Sequence, residues 1–289
     1  MPSTRDIRRR IKSVKNTAQI TKAMQMVASS KMRKAQLAAL AGRPYAKLMN
    51  EVMGNVAADA VDFTHPLMEK RGGKKRGVVL VSSDKGLCGA LNSNLTREAS
   101  KHDKDTTVFV CAGKKGAQFI ARNKRQLAAE FTYKDAPLFA EARAISKFVQ
   151  DLFLKGEVDS VEVLYTNFVS TLVQKPDTQP LLPIGELKGV QAGTHDAVAL
   201  EKSGVEFLFE PGADAVLGAL LPHYLNFQIY QILLEAKASE QSSRMVAMKN
   251  ATDNAKQLIK DLTLEYNKLR QANITKELLE ITTAQMALG

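Results

Sequence analysis

The segment Leu225–Val246, which reads LNFQIYQILLEAKASEQSSRMV, decides the fold of this 289-residue chain. Apolar and small residues recur in it at alternating intervals of four and three, at Leu225, Ile229, Ile232, Ala236, Ser239, Ser243 and Val246. This spacing predicts a continuous contact face along one side of an α-helix. The small residues in that face predict a close approach to a second helix.

The helical pattern extends far beyond this segment. No Gly or Pro falls between residues 223 and 288, so we expect a helix from about Pro211 almost to Gly289, with a bend near Pro222. Such a helix would measure roughly 100 Å. A domain of this size cannot bury its whole contact face, so it must pair with another long helix.

Residues 3–60 provide the only other long helix that the sequence predicts. The same spacing recurs at Ile7, Ile11, Val14, Ala18, Thr21, Met24, Ala28, Met32 and Ala35. Pro44, which follows Gly42, should kink or interrupt this helix. Because a whole domain separates the two helices in sequence, we expect them to pair in antiparallel orientation.

The middle of the chain has a different periodicity. After the basic, Gly-containing linker 70–76, continuous apolar or alternating runs predict strands at 77–83, 106–112 and 160–170, with further candidates at 171–183 and 204–210. Helical patterns lie between them, at 89–101, 114–123 and 138–155. Strands that alternate with helices predict a parallel or mixed sheet covered by helices.

The positive charge is concentrated in the first segment. Residues 1–50 contain 12 Lys and Arg and one acid, Asp6, which gives +11, whereas residues 51–289 contain 29 of each sign. We therefore expect residues 1–50 to face an acidic partner. Nucleic acid and anionic lipid satisfy this expectation in principle, but the segment Arg5–Lys34 has no aromatic residue for base stacking, so an acidic protein fits better. A solvated charged face without a partner is the alternative reading of the same segment.

Composition excludes several classes of protein. The chain has no apolar run of about 18 residues, which predicts no transmembrane helix. The basic N-terminus is not followed by an apolar stretch, so a secretory signal is not expected. The two cysteines, Cys88 and Cys111, are far apart, and we expect buried free thiols in a reducing compartment.

No motif in the sequence indicates catalysis, a cofactor or a metal. The loop Ser82–Gly89 could offer backbone amides to a phosphate, but it matches no phosphate-binding signature, and a tight turn that needs Gly86 and Gly89 explains it better. The four histidines are scattered and do not form a metal-binding pattern. Long paired helices without such motifs favour a mechanical part of an assembly over a catalyst. Two alternatives are a free-standing α/β enzyme with helical arms and a coiled-coil adaptor that binds nucleic acid.

Four quoted segments resemble the gamma subunit of F-type, proton-transporting ATP synthases of the bacterial type. They are Ile20–Met32 (ITKAMQMVASSKM), Ser83–Asn92 (SDKGLCGALN), Ser239–Met248 (SEQSSRMVAM) and Ile274–Ile281 (ITKELLEI). The resemblance implies the fold class α/β, with a long antiparallel coiled coil of the N- and C-terminal helices and a central Rossmann-like α/β domain with a mixed sheet. The expected divisions are helix 1–60, foot domain 76–210 and helix 211–289.

The resemblance also implies a function and its partners. The family's subunit is the central rotor stalk, which transmits torque between a c-subunit ring driven by proton flow and the catalytic hexamer of alpha and beta subunits. It is not catalytic itself and needs no cofactor. The expected partners are alpha, beta and epsilon subunits and the c ring, with no nucleic acid and with membrane association only through the complex.

Family roles carried onto matching positions predict six contact residues. Met24 and Arg244 match positions near an acidic lever of the catalytic subunits. Arg270 and Gln271 match a pair that hydrogen-bonds a catch loop of a catalytic subunit. Phe209 and Glu210 match the foot surface near the c ring.

The chain departs from the family pattern at two places. Lys85 stands where Arg is common, and Ala284–Met286 replaces the usual residues near the C-terminus, so the tip is expected to pack differently. The start Met-Pro-Ser-Thr leaves no transit peptide, which favours a bacterial protein at the cytoplasmic face of the plasma membrane, held there peripherally.

Overall fold

The computed structural model describes residues 3–59, 65–184, 210 and 212–288. Its helices are α1 (Thr4–Ala41), α2 (Arg43–Asp59), α3 (Leu91–Ser100), α4 (Lys114–Arg122), α5 (Phe139–Leu154) and α6 (Ala213–Leu288). Its strands are β1 (Arg76–Val81), β2 (Thr107–Ala112), β3 (Gln126–Phe131), β4 (Ser160–Phe168) and β5 (Gln174–Leu182). A short 3₁₀ turn lies at Pro66–Met68.

The chain divides into two compact units, the first of which contains Met1–Val27 and Met245–Gly289. In this unit the guanidinium of Arg8 donates to the hydroxyl of Tyr266 at 3.0 Å, and the hydroxyls of Thr21 and Thr252 lie 2.7 Å apart. A residue later in α1 therefore contacts a residue earlier in α6. The two helices therefore pair in antiparallel orientation, as predicted.

The second unit, Ala28–Arg244, contains the sheet. The strand order is β3-β2-β1-β4-β5, in which β1, β2, β3 and β4 are mutually parallel and β5 is antiparallel to β4. The predicted mixed sheet is confirmed. β1 and β2 are almost wholly buried, which explains why both are continuous apolar runs in the sequence.

Helices cover both faces of this sheet. On one face α3 and α4 pack on a small cluster that includes Leu80, Phe109 and Leu164. On the other face α5, α2 and the first part of α6 pack on a larger cluster that includes Val79 and Val163. The result is the three-layer arrangement of a Rossmann-like domain.

Several local expectations are refined. α1 ends at Ala41 and α2 begins at Arg43, so the interruption before Pro44 is confirmed. α6 continues through Pro222 without a break. β3 was not predicted from the sequence, because its half-buried QLAAEF pattern contains two alanines and so gives a weak strand signal. The candidate strand 204–210 lies, apart from Glu210, outside the described residues.

Candidate interaction sites

The C-terminal end of α6 is an exposed helix with apolar side chains. Every residue from Arg270 to Met286 is exposed. The large apolar side chains among them are Ile274, Leu278, Leu279, Ile281 and Met286. These 17 residues span roughly 25 Å at the usual helical rise. An apolar helical segment of this length is typical of a protein-binding element.

Arg270 and Gln271 lie at the start of this segment. Both are exposed, Leu269 just before them is half-buried, and no residue from Arg270 to Met286 is even half-buried. They therefore lie where the paired part of α6 gives way to the exposed part. This position suits contact with another subunit, which stays a prediction.

The helix α1 presents a basic surface beside its contact face. Its exposed cations are Arg5, Arg8, Arg9, Arg10, Lys12, Lys15, Lys22, Arg33 and Lys34. Met24 lies on the contact face and is half-buried, so part of its side chain packs in the helix pair and part remains accessible. A partner can therefore reach Met24 only along its exposed edge.

Arg244 is buried, with 9 % of its surface exposed. Its Nη2 lies 2.8 Å from Oε1 of Glu240 and donates to the carbonyl oxygens of Lys85 and Gly86 at 3.3 Å each. The guanidinium is thus occupied by contacts within the chain. The predicted contact of Arg244 with a partner is not tested by these contacts.

The loop between β1 and α3 is fastened to α6 and α4. The hydroxyl of Ser243 donates to the carbonyl oxygen of Cys88 at 2.7 Å. Oδ1 of Asp84 accepts from the amide of Lys114 at the start of α4, at 3.0 Å. This carboxylate therefore caps α4, whereas the helix that the loop itself opens is α3, so the contact does not test the phosphate-site alternative.

The glycine requirement in this loop differs from the expectation. Gly89 has a φ of 59°, so glycine is favoured there as predicted. Gly86 has open space around its α-carbon, and the left-handed residue is instead Leu87, with a φ of 63° and 63 % of its surface exposed. The turn thus places a large apolar side chain on the surface at the cost of backbone strain.

Glu210 is exposed, and Phe209 lies outside the described residues. The structure therefore locates one member of this predicted pair at the surface. Its contact with a c ring stays a prediction.

The cysteines are free and buried, as expected. Burial, with a smaller contribution from Glu130, raises the pKa of the Cys111 thiol to about 12. Among the described residues no cluster of His, Cys, Asp or Glu could hold a metal ion. His102 is instead paired with Glu162, at 3.2 Å between Nδ1 and Oε1.

Sequence reasoning missed three charged residues that are linked to Arg244 through successive ion pairs. Lys237 and Glu240 are buried on α6, and Asp135 lies between β3 and α5. Nζ of Lys237 lies 3.0 Å from Oε2 of Glu240 and 3.5 Å from Oδ1 of Asp135. The sequence does contain a signal for two of them, because Lys237 and Glu240, like Arg244, each directly follow a small residue of the predicted contact face.

Comparison with known proteins gives consistent matches over the whole chain. The family model described as ATP synthase matches residues 3–288. The ATP synthase gamma chain of Opitutus terrae is 50% identical over 99% of both chains, and that of Methylacidiphilum infernorum is 48% identical over 100% of both.

Solved structures share the fold. The central stalk and c-ring structure of the Tetrahymena thermophila mitochondrial ATP synthase contains a chain that is 27% identical, with a TM-score of 0.59 over 80% of this chain and 99% of that one. A chain of the Euglena gracilis mitochondrial ATP synthase gives a TM-score of 0.66 at 19% identity, over 99% of this chain and 94% of that one. The second match supports the fold alone.

These features define an assembly subunit with paired terminal helices and an α/β domain, in which the helical turns from Arg270 to Met286 expose apolar residues. Among the described residues no helix is both long and apolar enough to cross a membrane. The chain belongs to the family of ATP synthase gamma chains. Membership of this family gives it the role of a non-catalytic subunit of the central stalk, which confirms the resemblance read from the sequence.

Proposed function

We propose that the chain turns inside the catalytic hexamer of alpha and beta subunits and transmits torque between that hexamer and a c ring driven by proton flow. In this proposal residues 1–60 and 211–289 form the shaft and residues 76–210 form the foot. The ATP chemistry takes place on the partners. Proton transport and ATP synthesis or hydrolysis are coupled through the rotation.

The observation that carries this proposal is the exposed C-terminal end of α6. Leu278, Leu279 and Ile281 are each between 58% and 60% exposed, although apolar side chains on a helix are normally covered. An apolar sleeve inside a ring of subunits would cover such a segment on all sides. The polar residues Arg270 and Gln271 would then lie at the entrance of that sleeve, where hydrogen bonds to a catch loop are possible.

The charge distribution supports a second contact. Exposed cations on α1 attract an acidic lever of the catalytic subunits through contacts that are individually weak, because solvent screens them. Weak contacts let the shaft move from one catalytic subunit to the next without a deep energy minimum. Met24 and Arg244 are the predicted contact residues of this region.

The foot is proposed to bind the epsilon subunit and the c ring, with Phe209 and Glu210 at the c-ring surface. Membrane association would then be peripheral, at the cytoplasmic face, and would depend on the complex. The Tetrahymena structure, which combines a central stalk with a c ring, supports this arrangement for a relative of the chain.

The deciding experiment is co-assembly with alpha and beta subunits, measured by size-exclusion chromatography. We expect one copy of the chain to elute with three alpha and three beta subunits, and we expect Leu278→Glu with Ile281→Glu to prevent this. The double variant should unfold at the temperature of the wild type, because both residues are exposed in the free chain. Leu172→Glu, at another exposed apolar residue, serves as the matched control and should assemble.

The competing functions give different results. Steady ATP turnover by the purified chain alone would indicate a free-standing enzyme. Salt-sensitive binding of nucleic acid without a partner protein would indicate an adaptor. Normal assembly of the double Glu variant would remove the main support for the proposed insertion of α6.

A further inference from the structure

Five side chains of alternating charge form a continuous row in the second unit. Nζ of Lys31 lies 2.5 Å from Oδ2 of Asp135, and Oδ1 of Asp135 lies 3.5 Å from Nζ of Lys237. Lys237 in turn lies 3.0 Å from Oε2 of Glu240, whose Oε1 lies 2.8 Å from Nη2 of Arg244. Every charge in the row has an opposite charge as its neighbour.

The row joins four parts of the fold. Lys31 is on α1, Asp135 is between β3 and α5, and the other three residues are on α6. Arg244 continues the row to the β1–α3 loop through the carbonyl oxygens of Lys85 and Gly86. Lys237 is also held from the side, since its ammonium lies 4.8 Å from the ring centre of Tyr133.

Stability alone does not explain the buried part of this row. The side chains of Lys237 and Glu240 are 3% and 5% exposed, whereas Lys31 and Asp135 are 40% and 52% exposed. Desolvation of buried ions offsets much of their attraction, and apolar residues of similar size often replace such pairs without loss of stability. What charged pairs do provide is a preference for one arrangement, since any other leaves a buried charge without a partner.

The geometry on α6 makes this preference strict. Lys237, Glu240 and Arg244 are three and four residues apart, so they lie along one stripe of the helix. A rotation of α6 about its axis, or a slide by one turn, would move all three away from Asp135 and from the loop carbonyls together. The hydrogen bond from Ser243 to the carbonyl oxygen of Cys88, at 2.7 Å, fixes the same register.

We propose that Lys237 and Glu240 are positioning residues that fix α6 in one rotational register against the α/β domain. They thereby hold Arg244 and the Lys85–Leu87 turn in the arrangement through which the subunit transmits rotation. This inference rests on the proposed stalk function. It assigns a role in coupling to Lys237 and Glu240, whose ion pairs in the row are all with residues of the same chain.

The test is Lys237→Met in the assembled ATP synthase. This change removes the central link and leaves two neutral pairs, Lys31 with Asp135 and Glu240 with Arg244, so no charge is left without a partner. We expect normal thermal stability and normal assembly, but protons pumped per ATP hydrolysed should fall by roughly threefold to tenfold. Lys237→Arg keeps the charge and should retain coupling.

Lys101→Met is the matched control, because Lys101 forms an exposed ion pair with Glu98 at the same spacing of three residues. It should leave the ratio of pumping to hydrolysis unchanged. A purely stabilising role would alter the amount of assembled complex but not this ratio for each complex. Wild-type coupling in assembled Lys237→Met would overturn the proposal.

A second variant decides the question if Lys237→Met does not fold. Asp135→Asn breaks the row at a half-exposed residue, where folding tolerates the change better. Reduced coupling would support the row, and unchanged coupling would overturn it. Failure of the wild-type chain to assemble with alpha and beta subunits would instead count against the proposed function.

Discussion

At the scale of single residues, the carboxyl group of Glu235 makes the stability of the fold depend on pH. Burial raises its pKa from 4.5 to about 7, the negative charge of Asp177 reinforces the shift, and a hydrogen bond to the backbone of Phe168 opposes it. Tyr165, which also interacts with Glu235, has its own pKa raised by burial. The carboxyl of Glu235 is thus protonated in the folded chain at a pH where it is ionised in the unfolded chain.

This shift predicts a loss of stability as the pH rises. The folded state holds the proton more tightly than the unfolded state, so this group stabilises the fold fully below pH 4.5 and loses its contribution as the pH rises to about 7. The loss is on the order of 3 kcal/mol in the free energy of unfolding. Glu235→Gln should remove most of it, as measured by urea unfolding between pH 4.5 and 8. An equal pH dependence in both proteins would contradict the assignment.

At the scale of secondary-structure elements, the pairing of α1 with α6 contains a buried polar contact. The hydroxyls of Thr21 and Thr252 lie 2.7 Å apart, and each is also within reach of a carbonyl oxygen of its own helix, Ala18 at 3.1 Å and Met248 at 2.8 Å. Replacement of both partners by apolar groups of the same shape is close to neutral. Thr21→Val with Thr252→Val should therefore keep the free energy of unfolding within about 1 kcal/mol of the wild type.

Urea unfolding of the isolated chain measures this difference, with each single Val variant as a control for the other. A double variant that is more than about 2 kcal/mol less stable would show that the hydroxyl pair itself holds the helices together. In that case we would expect α1 and α6 of the double variant to pair in a shifted register.

The elements also show what the sequence could predict. In α1, all nine predicted contact positions are buried or half-buried, because the spacing of small and apolar residues reports the helix period directly. In α6 the predicted positions Ala251 and Leu258 are less buried than Thr252 and Ile259. Threonine is polar, so a pattern of hydrophobic residues does not select Thr252 as a contact position. The contact face nevertheless accommodates the hydroxyl pair of Thr21 and Thr252.

The candidate sites were less predictable, for a physical reason. Arg244 donates to the carbonyl oxygens of Lys85 and Gly86, and Lys237 pairs with Asp135, all of which are more than a hundred residues away in sequence. Local periodicity contains no information on such contacts. The sequence pattern likewise does not distinguish exposed apolar residues such as Leu278 from core residues, because it does not show where the pairing of α6 with α1 ends.

At the scale of the whole molecule, the charge distribution separates the two ends of the sequence. Residues 1–50 hold a net charge of +11, and the remainder is neutral. Charges of one sign on one surface accelerate association with an oppositely charged partner, and salt screens this effect. The charge of α1 should therefore appear in the rate of assembly more than in the lifetime of the complex.

The corresponding experiment follows binding of the chain to alpha and beta subunits at several salt concentrations. The test variant replaces five exposed cations of α1 by Gln, which preserves helix propensity: Arg5, Arg9, Arg10, Lys12 and Lys15. The association rate at low salt should fall by about tenfold and depend less on salt, with a dissociation rate close to that of the wild type.

The matched control removes five exposed cations elsewhere: Lys70, Lys74, Lys75, Lys104 and Lys155. Both variants lose the same net charge, so they differ only in where the charge was. If the charge acts through its position on α1, the control should associate at nearly the wild-type rate. Equal slowing of both variants would show that net charge alone drives the encounter, and that the basic surface of α1 does not face the acidic partner during assembly.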